Sequence, residues 1–218
     1  YAVFGGNTCS NESGAAGVNQ LVQFSVGNPR DERLRYVLWE SNRLTAGTAG
    51  VSSGALLQGE YGMVSRNNIY NFNAATGSSN DVACEMYQSS DTVAMDYAQS
   101  FNNSMYTGAT GSSGELRCIR VQSANITNFT AKNNLGYAPA YASRVMISNN
   151  GASITEGSNS SDGQVAATDP YSSKTTFVPQ GYALNSGDAT VPVFDDNSQT
   201  QFIFGNTAPT PDKGAVQT

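Results

Sequence analysis

The chain has no histidine among its 218 residues. That excludes Ser-His-Asp and Cys-His nucleophile systems, histidine metal sites and histidine pH switches. Charge is also scarce. Charged side chains are 13% of the sequence, where soluble domains average about a quarter. The 11 basic residues are scattered, except for Arg30, Arg33 and Arg35, and the net charge is -6. Nucleic acid and anionic membrane surfaces are poor partners for such a chain, because phosphate binding needs a basic face. No apolar run approaches the roughly 20 residues that span a bilayer. No signal peptide precedes Tyr1, so an exported protein would be read here in its mature or truncated form. The three cysteines, Cys9, Cys84 and Cys118, form no CxxC pair, which argues against zinc or thioredoxin-type chemistry.

What fills the space is neutral and polar. Ser, Thr, Asn, Gln and Gly replace the missing charges, a composition associated with extracellular filaments, shells and fibres. The organising stretch runs from Leu21 to Val64. Val22, Phe24 and Val26 alternate with Gln23 and Ser25. Leu34, Tyr36 and Leu38 alternate with Arg35, Val37 and Trp39. A period of two places alternate side chains on opposite faces of a strand. Asn28-Pro29 ends the first run, because Pro pushes the residue before it out of the helical region. This reads as an antiparallel meander with one buried face.

Further strands are expected at Leu56–Val64, Ile69–Phe72, Glu115–Ser123, Asn125–Phe129 and Arg144–Ser148, then within TTFVP, ATVPVFDD and TQFIFG. Asn150-Gly151 is a tight-turn pair, since both residues tolerate positive φ. From Val82 to Tyr106 the pattern fits a strand (Val93, Met95, Tyr97) or a helix face (Val93, Tyr97, Phe101), and we favour strand. No repeat of fixed period is visible. The fold expected is mainly β: an antiparallel sandwich or barrel-like domain with long polar loops and room for one short helix. Residues 1–205 form one domain, with a candidate internal boundary at 73–81. Residues 206–218 make an extended tail.

Several constellations invite a functional reading. Cys84 and Cys118 are the disulfide candidate; the bridge would close about 33 intervening residues, worth roughly 3–4 kcal/mol. The alternative is three buried free thiols. Trp39 lies opposite Leu34, Tyr36 and Leu38, so it is a ligand-contact candidate if that face is exposed and core if both faces are covered. Exposed tyrosines on a sheet could stack on sugars. Tyr1, Val3 and Phe4 could form an edge strand that reaches a neighbouring subunit. Glu40, Glu60, Glu85, Asp91, Asp96 and Glu115 are carboxylates in or beside strands. A glycosidase would need two of them facing across a cleft; for Glu40 the simpler reading is a strand end reaching solvent. Asp195 and Asp196 with Asn197 fit a solvated turn better than a calcium loop. Asn11, Asn102, Asn125, Asn128 and Asn159 head Asn-x-Ser/Thr triplets, but this composition supplies such triplets by chance. Neither a catalytic residue nor a cofactor is indicated.

The run RLRYVLWESNRLTAG followed by ALLQGEYGMV, residues 33–64, resembles the β-meander of minor type IV pilins and type II secretion pseudopilins. The matching pieces are Leu34-Arg35-Tyr36, Leu38, Arg43-Leu44 and Leu56-Leu57. The family's long apolar N-terminal helix with an early Glu is absent. The resemblance implies a filament-surface or filament-tip component with no catalytic residues to transfer. The expectation is therefore a non-enzymatic extracellular or cell-surface structural subunit that assembles with itself or with other filament subunits. The alternatives are a carbohydrate-binding adhesin and a viral shell or fibre protein.

Overall fold

The computed structural model describes residues 2–11, 20–24, 34–46, 53–72, 80–87, 94–108, 115–141, 143–150, 153–160, 165–183 and 187–188. These residues wind into a three-faced parallel β-solenoid. The first coil contributes β1 (Ala2–Gly5), β2 (Thr8–Asn11) and β3 (Gln20–Phe24). The second contributes β4 (Arg35–Glu40), β5 (Arg43–Ala46) and β6 (Ser53–Leu57). The third contributes β7 (Tyr61–Arg66), β8 (Ile69–Phe72) and β9 (Asn80–Met86). In the fourth coil the first face is split into β10 (Met95–Asp96) and β11 (Gln99–Phe101), followed by β12 (Ser104–Thr107) and β13 (Glu115–Val121). The fifth is split likewise into β14 (Ile126–Thr127) and β15 (Phe129–Lys132), then β16 (Leu135–Tyr137) and β17 (Ser143–Asn149). β18 (Ile154–Gly157) opens a sixth coil.

Every strand pairs in parallel with its counterparts one coil away. Sheet A runs β1-β4-β7-β11-β15-β18, sheet B runs β16-β12-β8-β5-β2, and sheet C runs β17-β13-β9-β6-β3. The expected antiparallel sandwich or barrel is therefore wrong. The strands expected to form one meander, β3 to β7, are dealt to three different sheets. The physical reason is that each solenoid face has a core side and an outer side. That arrangement produces the same alternation as a half-buried antiparallel sheet.

The interior is filled by columns of side chains in register. Leu44, Tyr70 and Met105 stack along sheet B; Ala55, Cys84 and Ile119 stack along sheet C. The corner from sheet A to sheet B is the constant feature. It is two residues long in each of the first five coils: Gly6-Asn7, Ser41-Asn42, Asn67-Asn68, Asn102-Asn103 and Asn133-Asn134. The first residue of each pair takes positive φ, as does Ser158 before Asn159. The second is an asparagine, and these stack into a ladder. Each ladder Oδ1 accepts the backbone N–H of the asparagine one coil earlier, at 3.0–3.1 Å, from Asn7→Asn42 through Asn134→Asn159. The same Oδ1 accepts that asparagine's Nδ2–H at 2.9–3.1 Å. From Asn42 onward each Nδ2 also donates to a carbonyl of the preceding coil, as Asn103 does to Ser65 at 3.1 Å. A buried amide is costly unless paired, and here each one is paired by its neighbours.

The disulfide expectation fails: Cys9, Cys84 and Cys118 are all free thiols. Cys84 and Cys118 are buried in the solenoid interior, beside a cavity of about 10 Å³. Burial pushes the Cys84 thiol up to about 11, and pushes Cys118 up as well. Glu40, expected at the solvent, is buried against Arg66, with Nε to Oε2 at 2.7 Å. Burial raises the Glu40 carboxyl and lowers the Arg66 guanidinium, while each charge acts in the opposite direction on its partner.

Candidate functional site

The outward side of sheet A carries three tyrosines from three consecutive coils. Tyr36 and Tyr97 occupy equivalent positions, each five residues before the corner residues Ser41 and Asn102. Gly62 and Asn128 hold the same position before Asn67 and Asn133. All four have positive φ, so each coil bulges here: 55° at Tyr36, 66° at Gly62, 55° at Tyr97 and 50° at Asn128. A bulky residue in this region is strained, and such strain, of order 1–3 kcal/mol, concentrates at functional sites. Tyr36 and Tyr97 nonetheless project outward, 43% and 49% exposed.

Tyr61 fills the interval between them from the neighbouring column. Its ring centroid is 5.3 Å from Tyr36 and 5.2 Å from Tyr97. Gly62 makes this possible, since a Cβ there would meet Tyr36 Cδ1 at 3.0 Å. The result is a zigzag platform of three rings running along the solenoid axis. Strands of a sheet lie about 4.8 Å apart, so Tyr36 and Tyr97 are separated by roughly 10 Å.

Polar groups flank the rings. Arg35, Tyr36, Glu60, Tyr61, Ala94 and Asp96 line a cleft of about 410 Å³. Arg35 Nε donates to Glu60 Oε2 at 2.8 Å, so those two charges compensate each other. Among the described residues Asp96 has no cationic partner. Its Oδ1 accepts from Thr127 Oγ1 at 2.8 Å, from Asn128 Nδ2 at 2.7 Å and from the Tyr97 backbone N–H at 3.1 Å. Burial works against its ionisation, but these three donors outweigh it and hold the carboxyl below its usual value. The Tyr61 hydroxyl is pushed up by burial first, then by Tyr36, Tyr97 and Asp96.

A second tyrosine cluster lies on the outer side of sheet B, and there it is covered. Residues 165–183 leave the sixth coil at the Tyr137–Ala166 bridge and run back across the sheet. Phe177 reaches the second coil, with the Arg43 guanidinium 5.5 Å from its ring centroid. The Tyr171 hydroxyl is inserted between β12 and β16. It accepts the Met105 N–H at 3.2 Å and is 2.7 Å from the Leu135 carbonyl, to which it can donate. The Lys174 ammonium lies over three rings, at 5.4 Å from Tyr106, 5.2 Å from Tyr137 and 5.5 Å from Tyr171. Asp169 closes an ion pair with it.

The residues singled out from sequence fall elsewhere. Trp39 is 2% exposed; it faces the interior, and its Nε1 donates to the Tyr70 hydroxyl at 3.2 Å. Both faces of β4 are in use, and the inward one is Val37 and Trp39, the reverse of the expected polarity. Val3 and Phe4 lie on β1, 43% and 39% exposed, and Phe4 packs on Phe24 at 4.4 Å. Tyr1, Asp91, Asp195 and Asp196 lie outside the described residues. Asn159 belongs to the buried ladder. Among the described residues, no group of three or more Cys, Asp or Glu side chains is placed to hold a metal ion. The platform was missed because its three tyrosines are 25 and 36 residues apart. The signal that could have found it is the fixed offset of Tyr36 and Tyr97 from an Asn at the corner. Comparison with protein families, with curated proteins and with solved structures finds no match.

Proposed function

We propose that this chain is a non-enzymatic carbohydrate-binding solenoid, acting at a cell surface or outside the cell, and that the Tyr36–Tyr61–Tyr97 platform is its contact face. The observation that carries this reading is the exposure of two strained tyrosines on either side of a third. Flat aromatic faces stack on the apolar faces of sugar rings. Beside them, Asp96 Oδ2 and the Glu60–Arg35 pair offer acceptors and donors for hydroxyls. The cleft volume is within the range of small-ligand sites. The neutral polar composition suits an exported protein.

Binding is favoured over cleavage for a chemical reason. Glycoside hydrolysis needs one carboxyl held protonated near neutral pH beside a second that is ionised. Asp96 is displaced in the opposite direction, and Glu60 is engaged by Arg35. The test is a glycan array followed by titration of the hits with Tyr61→Ala. Tyr61-dependent binding without hydrolysis supports the reading. An array with no Tyr61-dependent binder overturns it.

The structural-subunit reading keeps one supporting observation, the exposed Val3 and Phe4 on β1. Among the described strands β1 ends sheet A, and apolar side chains beside a sheet edge invite another chain. Sedimentation that shows a monomer at all concentrations, unaltered by Phe4→Ser, removes that reading.

A further inference from the structure

We infer that the sugars taken by the sheet A platform carry protonated amines, so that the ligand class is a cationic aminoglycan built from glucosamine-type units. The inference rests on the carbohydrate-binding reading and narrows it.

The argument begins with charge. Tyr36 and Tyr61 meet edge to face at 65° and line the cleft, and a tyrosine ring face attracts a cation set over it within about 6 Å. Arg35 and Glu60 cancel, and Asp96 is left as the uncompensated charge of the cleft. Its Oδ1 takes all three donors, and among the described residues Oδ2 has no partner. Those donors also keep it ionised. The site is therefore negative in its rings, its carboxylate and the field of a chain of net charge -6. Uronic or sulfated sugars would be repelled. Neutral sugars would gain only stacking and hydroxyl contacts. An ammonium on the sugar would gain both attractions.

The molecule contains a filled site built from the same residue types. On sheet B, three tyrosine rings and one aspartate surround an ammonium, that of Lys174. On sheet A, Tyr36, Tyr61 and Asp96 line a cleft together with the Arg35–Glu60 pair, and Tyr97 stands beside Tyr61 next to it. Tyr61, Tyr36 and Asp96 on the open face correspond in chemistry to Tyr137, Tyr106 and Asp169 on the filled one.

The experiment is calorimetric titration of the full chain with three hexamers: glucosamine, N-acetylglucosamine and glucuronic acid. Each is measured at low and at physiological salt, with wild type, Asp96→Asn and Tyr97→Ser. Both substitutions are at partly or largely exposed positions, and matched thermal melts verify the fold. The glucosamine hexamer is expected to bind about tenfold more tightly than its acetylated form, and glucuronate not at all. Asp96→Asn should erase that difference while leaving the acetylated hexamer unchanged. Equal affinity for the first two hexamers, still lost with Tyr97→Ser, overturns the amine inference and leaves the carbohydrate reading standing. Failure of all three hexamers overturns the inference, while Tyr61-dependent hits on the glycan array would preserve the broader reading. Glucosamine binding that ignores both substitutions and vanishes with salt is attraction to an acidic protein, and it also overturns the inference.

Discussion

Two tyrosine clusters sit on two faces of one solenoid, and they differ in what covers them. On sheet B, Tyr106 and Tyr137 are stacked at 6.1 Å and roofed by Tyr171 and Lys174 from the segment 165–183. On sheet A, Tyr61 touches Tyr36 on one side and Tyr97 on the other, and Tyr36 and Tyr61 line an open cleft. The backbone differs too. The sheet B tyrosines have ordinary φ, whereas two of the sheet A tyrosines are held at positive φ. Covered aromatic surface contributes to stability through burial and cation–π attraction. Exposed aromatic surface on a strained backbone contributes little to stability, and its retention asks for another explanation. The same residue type is thus covered on one face and exposed on the other.

The contrast can be broken most severely at the scaffold both faces share. Asn103→Leu removes the buried acceptor for the Asn68 N–H and a donor to the buried Ser65 carbonyl. A loss of about 3–5 kcal/mol is expected in denaturant unfolding, with both clusters disturbed. A smaller change, confined to sheet B, is expected from Tyr171→Phe. It deletes the hydroxyl between β12 and β16 and should cost about 1–3 kcal/mol, with hydrogen exchange rising at Met105. Smaller again is Lys174→Met, which keeps the stem and removes the ammonium. About 0.5–2 kcal/mol should be lost, and sugar binding on sheet A should not change.

The smallest effect is on pH dependence. The Asp96 carboxyl is held below its usual value by Thr127, Asn128 and the Tyr97 N–H, against the opposing effect of burial. A lowered carboxyl stabilises the fold above its ordinary titration range, and that contribution disappears as pH falls through its folded value. Acid should therefore loosen the sheet A bulge before the asparagine ladder, which has no titrating group. Asp96→Asn should flatten that step in a pH series of thermal melts. Glu40 runs the other way, because burial raises it. Its contribution favours the fold at low pH and fades as pH rises through its folded value.

Much of the strand content was readable. The reading located β4, β8, β13 and β17 within a few residues, and the choice of strand over helix agrees with β9 to β12, but the single strand expected at Leu56–Val64 is two, β6 and β7, on different sheets. Partner and direction were not readable. Val37 and Trp39 alternate with Leu38 and Glu40 whichever way the neighbouring strand runs. The repeat was hidden by coil length. Successive ladder asparagines are 35, 26, 35, 31 and 25 residues apart. Only the corner from sheet A to sheet B keeps its length, so self-similarity reduces to a two-residue signature ending in Asn. The ladder was overlooked because abundant Asn reads as loop and surface, and the triplet headed by Asn159 is one that composition supplies by chance. Of the candidate site, the idea of surface tyrosines was legible and their identity was not. Trp39 drew attention as the sole tryptophan, yet its ring is committed to the core through Tyr70.

The central claim, that the sheet A rings are for contact and the sheet B rings for cohesion, has a direct test. Protein with ring-labelled tyrosine, its resonances assigned by single substitutions, is titrated by NMR with the glucosamine hexamer. The account predicts saturable shifts at Tyr36, Tyr61 and Tyr97, and none at Tyr106, Tyr137 or Tyr171. Shifts confined to the second group, or no saturable shift in either, would contradict it.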